Sequence, residues 1–132
     1  MIKRVDHIAI AVNSADDALS VFDNLFGLKA DHMSLSRTRG LRRLLCAWAI
    51  PISSSLSPPI PRGGVAKFIE KRGEGFHHIC IEVDNIDEEL RSLAARGVEL
   101  IDKQARKGLA GRIGFLHPRA TKGVLIELVQ KV

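Results

Sequence analysis

GFHHICIEV (Gly75–Val83) and RVDHIAIAV (Arg4–Val12) carry a histidine at the same place, 71 positions apart: His78 answers His7, and Ile79 and Ile81 answer Ile8 and Ile10. In both stretches the residue character alternates with the period of two that a β-strand imposes. The likeness continues downstream. NSADDALSVFDNLFGLKA follows Val12 and DNIDEELRSLAARGVEL follows Val83, so Gly27-Leu28 is matched by Gly97-Val98. A long internal repeat governs the reading of the whole fold, because each copy is one supersecondary unit.

Within the first copy, Ile8, Ile10 and Val12 form a bulky apolar face, and His7, Ala9 and Ala11 a small face with one histidine. Ser14 is placed to cap a helix whose first turn holds Asp16 and Asp17. Ala18, Val21, Phe22, Leu25 and Phe26 recur along it at helical spacing before Gly27 ends it. In the second copy His78, Cys80 and Glu82 share one strand face. Asn85 and Glu88 read as a capping box, Ile86, Leu90, Leu93 and Ala94 form the buried stripe, and Gly97 closes the helix. Three further strands are expected, over Val98–Asp102, Arg112–His117 after the turn-rich KGLAG, and Val124–Val129. The unit is therefore strand-helix-strand-strand-strand. The expected fold is α+β: two βαβββ modules in tandem, module one over about 1–62, a linking helix over about 63–73 and module two over about 74–132, in a single domain.

At 132 residues, with 45% hydrophobic and 27% charged residues, the chain suits one soluble core. No run of residues reads as a membrane span or leader, so a cytoplasmic location is expected. Cys46 and Cys80 are too few for a disulfide framework, and Cys80, inside an apolar strand, reads as a small core residue. A net charge of +5 raises the question of nucleic acid. Its distribution answers it. Arg37, Arg39, Arg42, Arg43 and Arg62 fall in a stretch, Ser34–Arg62, that has no acidic residue; without those five the 20 basic residues become 15, equal to the 15 acidic ones. The excess belongs to one segment, and neither nucleic acid nor a membrane is expected as a partner.

Singly, a strand histidine is more often structural than a ligand. Glu127, between Leu125 and Val129 in the final strand, reads equally well as an exposed edge residue. The repeat raises the odds, since two copies of a sheet paired about an axis bring His7 and His78 to equivalent places. Two imidazoles and a carboxylate facing one cavity suit a divalent metal with open coordination positions.

DHIAIAV, the helix ending FGLKA, VAKFIEKRGEGFHHICIEVDNID, GVELID, FLHP and KGVLIEL together resemble the methylmalonyl-CoA epimerase branch of the vicinal oxygen chelate (glyoxalase-like) superfamily, over roughly residues 1–33 and 63–132. The resemblance implies paired modules whose curved mixed sheet surrounds a metal cavity, with helices on the outer face. It implies His7, His78 and Glu127 as ligands of one divalent ion, cobalt or another such as Mg, Mn, Zn or Ni, and Glu127 as an acid-base residue as well. The implied reaction removes and returns the C2 proton of methylmalonyl-CoA, an enolate being stabilised by the metal. The implied partner is a CoA thioester. A two-module sheet leaves edges exposed for pairing, which makes a homodimer the expected assembly.

Between Arg42 and Pro58 the resemblance lapses. RRLLCAWAIPISSSLSPP stands where two strands are expected, and its serines and prolines are poor material for an inner ladder. The family pattern at this place reads roughly VGDTDLELLE, with a fourth metal ligand that falls by offset near Ser54 to Ser57. Reading one base earlier turns Trp48-Ala49 into a forced glycine and allows the rest of that pattern. About 34–62 is thus read as translated out of frame, with a poorly ordered first half expected in consequence. Two rival functions share parts of the pattern. A lactoylglutathione lyase or a ring-cleaving dioxygenase would keep the histidines but not the phrase KRGEGFHHICIEVDNID, and a non-catalytic ligand-binding member would not need His7, His78 and Glu127 together.

Overall fold

The computed structural model describes residues 1–36, 41–46, 51–55 and 64–132; for 31, 32, 34–36, 41, 42, 44–46, 55 and 64 it describes the backbone alone. Arg37, Arg39, Trp48, Ser57, Pro58 and Arg62 lie outside the described residues. The fold is α+β, with strands β1 (Ile2–Ala11), β2 (Ala30–Ser36), β3 (Leu41–Cys46), β4 (Ile52–Ser55), β5 (Gly75–Val83), β6 (Arg106–Lys107), β7 (Gly111–Leu116) and β8 (Ile126–Lys131). The helices are α1 (Ala15–Phe26), α2 (Gly64–Arg72) and α3 (Ile86–Ala95), with a short 3₁₀ turn over Pro118–Thr121. Two compact units divide the chain, Met1–His7 with His78–Val132, and Ile8–His77.

In the Ile8–His77 unit the strand order is β2-β3-β4-β1. Helix α1 begins where the sequence puts it. The Ser14 hydroxyl accepts from the Asp17 N–H, and Gly27 ends the helix at φ 71°, its own N–H donating to Asp23 O. The core here is Val12, Ala15, Leu28 and Ile52, with Ile10, Ala18, Leu19 and Phe22 packed against it. A second cluster joins Ala11 and Val65 to Phe68 and Ile69 of α2.

The described parts of the segment expected to fail as a ladder do pair. β4 pairs parallel with β1, Ile10 opposite Ile52, and antiparallel with β3, Leu44 opposite Ile52 and Arg42 opposite Ser54. Pro51 sits one residue before β4, where only its carbonyl is used, accepting from Ile10 N at 3.2 Å, so its missing N–H costs nothing. Ser54 is buried at 3% exposure. Serine has weak strand preference but no steric objection to the ladder, and its neighbours decide. The expected disorder is thus corrected for 42–46 and 51–55; the out-of-frame reading turns on Trp48 and its neighbours at 47–50 and 56–62, which lie outside the described residues.

In the other unit the order is β1-β5-β8-β7-β6. Asn85 caps α3, its side chain accepting from Glu88 N. Ile86 and Leu90 bury against Val83, Leu116 and Leu128. Strand β8 is flanked by β5 on one side and β7 on the other, so the last strand of the chain is internal. One expected strand is replaced by another. Val98–Asp102 makes only an isolated bridge, Leu100 to Leu116, because Ile101 N and Asp102 N both donate to Phe115 O while the Asp102 carboxylate accepts from Phe115 N. The strand beside β7 is instead β6, and KGLAG is the hairpin turn between them, closed by Gly108 N to Gly111 O.

Candidate metal centre

Three strands of the Met1–His7 and His78–Val132 unit supply the centre. His7 lies on β1, His78 on β5 and Glu127 on β8, and all three are buried, at 6–7% exposure. One ligand atom from each falls within 4.8 Å of the others. The imidazole rings of His7 and His78 meet edge to face, centroids 5.5 Å apart at 72°. His78 Nε2 stands 3.6 Å from Glu127 Oε2.

Strand register explains why Glu127 points here. Cys80 is its partner across β5 and Phe115 its partner across β7, so these three side chains share one sheet face. The Cys80 thiol donates to Glu127 Oε1 at 3.2 Å. Phe115 presents an edge to His78, centroids 5.6 Å apart, and Arg106 lies over the same phenyl ring. Cys80, Ile113, Phe115 and Val129 form the apolar cluster around the carboxylate. Cys80 is thus the small core residue the sequence implied, with a hydrogen bond added. The edge reading of Glu127 does not hold.

Glu82, next on the His78 and Cys80 face, is also buried, but it is taken by cations: Arg4 Nε stands 2.8 Å and Lys3 Nζ 3.6 Å from its oxygens. It belongs to the support of the unit. Asp6, which the sequence reading passed over, is drawn in. Its Oδ2 lies 2.6 Å from His7 Nδ1 and its Oδ1 pairs with Lys131. Burial alone would push the Asp6 carboxyl up, yet the hydrogen bonds from Lys131 and His7 outweigh it and hold the carboxyl below its ordinary value. The adjacency Asp6-His7 was the available signal. The two faces of β1 divide as expected: His7, Ala9 and Ala11 are buried on one, and on the other Ile10 packs against the core while Ile8 is 42% exposed.

The pattern of the Glyoxalase/Bleomycin resistance protein/Dioxygenase superfamily matches residues 6–115. The chain belongs to that superfamily. Among similar proteins, protein YqjC of Bacillus subtilis (strain 168) is 35% identical over 96% of this chain and 91% of its own length. A mitochondrial methylmalonyl-CoA epimerase of Dictyostelium discoideum is 30% identical over 98% of this chain and 80% of its own. The solved methylmalonyl-CoA epimerase from Mycobacterium tuberculosis superposes with a TM-score of 0.88 at 33% identity, covering 99% of this chain and 89% of that one. A methylmalonyl-CoA epimerase in complex with methylmalonyl-CoA and NH4+ superposes with a TM-score of 0.86 at 28% identity, covering 100% and 96%. This superfamily member is an epimerase-like enzyme.

Proposed function

We propose that the chain interconverts the (R) and (S) forms of methylmalonyl-CoA by proton transfer at C2. The observation that carries the reading is the buried convergence of His7, His78 and Glu127, in a chain similar to methylmalonyl-CoA epimerases over nearly its whole length. The donor set fits a divalent cation: two imidazoles and one carboxylate, desolvated together, on strands whose backbone is fixed by the sheet. His7, His78 and Glu127 would hold it, cobalt or one of Mg, Mn, Zn and Ni. When bound, such an ion supplies Lewis-acid stabilisation of the negative charge that grows on the thioester oxygen as the C2 proton leaves, worth several kcal/mol.

The protein's own groups do the rest. Glu127 is read as an acid-base group as well as a ligand, its carboxylate oriented by the Cys80 thiol, which donates to Oε1. A positioned acid-base group of this kind contributes about a hundred- to ten-thousand-fold. Phe115, Ile113 and Val129 keep the carboxylate's surroundings apolar, which strengthens each electrostatic contact inside. Inversion also demands a second acid-base group on the opposite face of C2. We read the assembly as a homodimer paired through sheet edges, and the location as cytoplasmic; among the described residues no helix is long and apolar enough to cross a membrane.

The test is substrate choice. Supplied with one epimer of methylmalonyl-CoA, the divalent-metal-loaded protein is expected to produce the other until the two reach equilibrium. Conversion of the glutathione hemithioacetal of methylglyoxal, with no epimerisation of the CoA ester, would replace this reading by the lyase.

A further inference from the structure

The geometry points to Asp6 as the positioning residue of the centre: it fixes His7 in the tautomer that carries its proton on Nδ1, so that Nε2 is the nitrogen turned to the cation. The inference rests on the reading of His7 as a ligand. Its basis is the 2.6 Å separation of Asp6 Oδ2 and His7 Nδ1, a charge-assisted hydrogen bond between groups that are 12% and 8% exposed. One nitrogen so engaged leaves the other as the lone-pair donor, because a neutral imidazole has one of each. The edge-to-face contact with His78 restrains the plane of the same ring from a second side.

Asp6 is itself held. Lys131 Nζ pairs with Oδ1, leaving Oδ2 to His7. Lys131 ends β8, four residues beyond Glu127, so one strand carries a candidate ligand and the anchor of the group that orients another. Glu82 shows the contrast, a buried carboxylate faced by two cations, Arg4 and Lys3. Asp6 gives one oxygen to a cation and one to a histidine.

Asp6 has a second arrangement open to it, since it also forms a triplet of ligand-bearing groups with His7 and Cys80 within 4.8 Å. The two roles differ in outcome. A positioning carboxylate is removed at a cost of about 10- to 100-fold in metal affinity, whereas loss of a direct ligand abolishes binding at that centre.

Two measurements decide. In the metal-free protein, ¹⁵N spectra of the His7 imidazole, assigned with H7A, are expected to show a proton on Nδ1; in D6N, which keeps the side-chain shape, that preference is expected to collapse toward the Nε2 form. In cobalt titrations read by visible absorption, D6N is expected to weaken binding by about 10- to 100-fold, and K131M, which removes only the anchor, to weaken it less. A His7 proton on Nε2 in the wild type, equal cobalt affinity of D6N and wild type, or equal losses in D6N and K131M would overturn the proposal while leaving the centre intact. Complete loss of cobalt binding in D6N would overturn it in favour of a direct ligand. Absence of cobalt uptake by the wild type would overturn both the proposal and the centre.

Discussion

Glu127 occupies a position that a leucine or valine would fill at lower cost. It is flanked by Cys80 and Phe115 on neighbouring strands, in a cluster otherwise apolar, and burying a carboxylate there is unfavourable unless something charged compensates. In the proposed reading, that cost is borne for the chemistry of the site. Replacing it with glutamine keeps the shape and the acceptor for the Cys80 thiol but removes the charge. E127Q is therefore expected to melt at the same temperature as the wild type or higher, while epimerisation falls by about a hundred- to ten-thousand-fold. A lower melting temperature with activity intact would make Glu127 structural. Gly111 makes the opposite case, a residue kept for the backbone alone. At φ 154° a Cβ would meet Gln130 O at 2.2 Å, so G111A is expected to destabilise by about 1–3 kcal/mol in thermal or denaturant unfolding without touching the centre. The sequence singled out Glu127 by its apolar neighbours but could not rank it against Glu82. What separates them is the partner each meets, Arg4 and Lys3 for one, His78 and Cys80 for the other, and partners are a property of the sheet.

At the scale of elements, the helices were legible and several strands were not. Helices α1 and α3 follow from local chemistry: a Ser14 or Asn85 oxygen satisfying an N–H three residues on, and a stripe at helical period. Strand β4 is built from Ile52, Ser53, Ser54 and Ser55, whose own preference is weak, and exists because β1 and β3 accept its hydrogen bonds. The expected strand at Val98–Asp102 was displaced for a similar reason, the Asp102 side chain taking the N–H of Phe115 that a ladder partner would have used. Between elements, Arg112 of β7 grips Asp87 of α3 with two hydrogen bonds of 2.6 and 2.8 Å. Those bonds hold the Asp87 carboxyl below its ordinary value. The unfolded chain then binds the proton more readily than the folded one, so the contribution is complete above the ordinary carboxylate value and is lost as pH falls through the depressed one. In R112Q the loss of thermal stability on acidification is expected to be shallower than in the wild type, by a small amount because the pair is exposed. Parallel acid profiles for the two proteins would remove Asp87–Arg112 from the account.

For the whole molecule, the repeat seen between Arg4–Val12 and Gly75–Val83 implies a plan of two like halves, and the superfamily match bears out its α+β class. The convergence of His7, His78 and Glu127 was legible only through that plan, because 71 and 49 residues of chain separate successive members and no local pattern links them. The joint role proposed for them is tested by a single experiment. Methylmalonyl-CoA in deuterium oxide, with the purified chain, is followed by mass spectrometry for uptake of one deuteron at C2, with divalent cobalt present and again after chelation. The account requires uptake at C2 that depends on the cation and is abolished in H78A. Uptake at an equal rate after chelation, or undiminished in H78A, would contradict it.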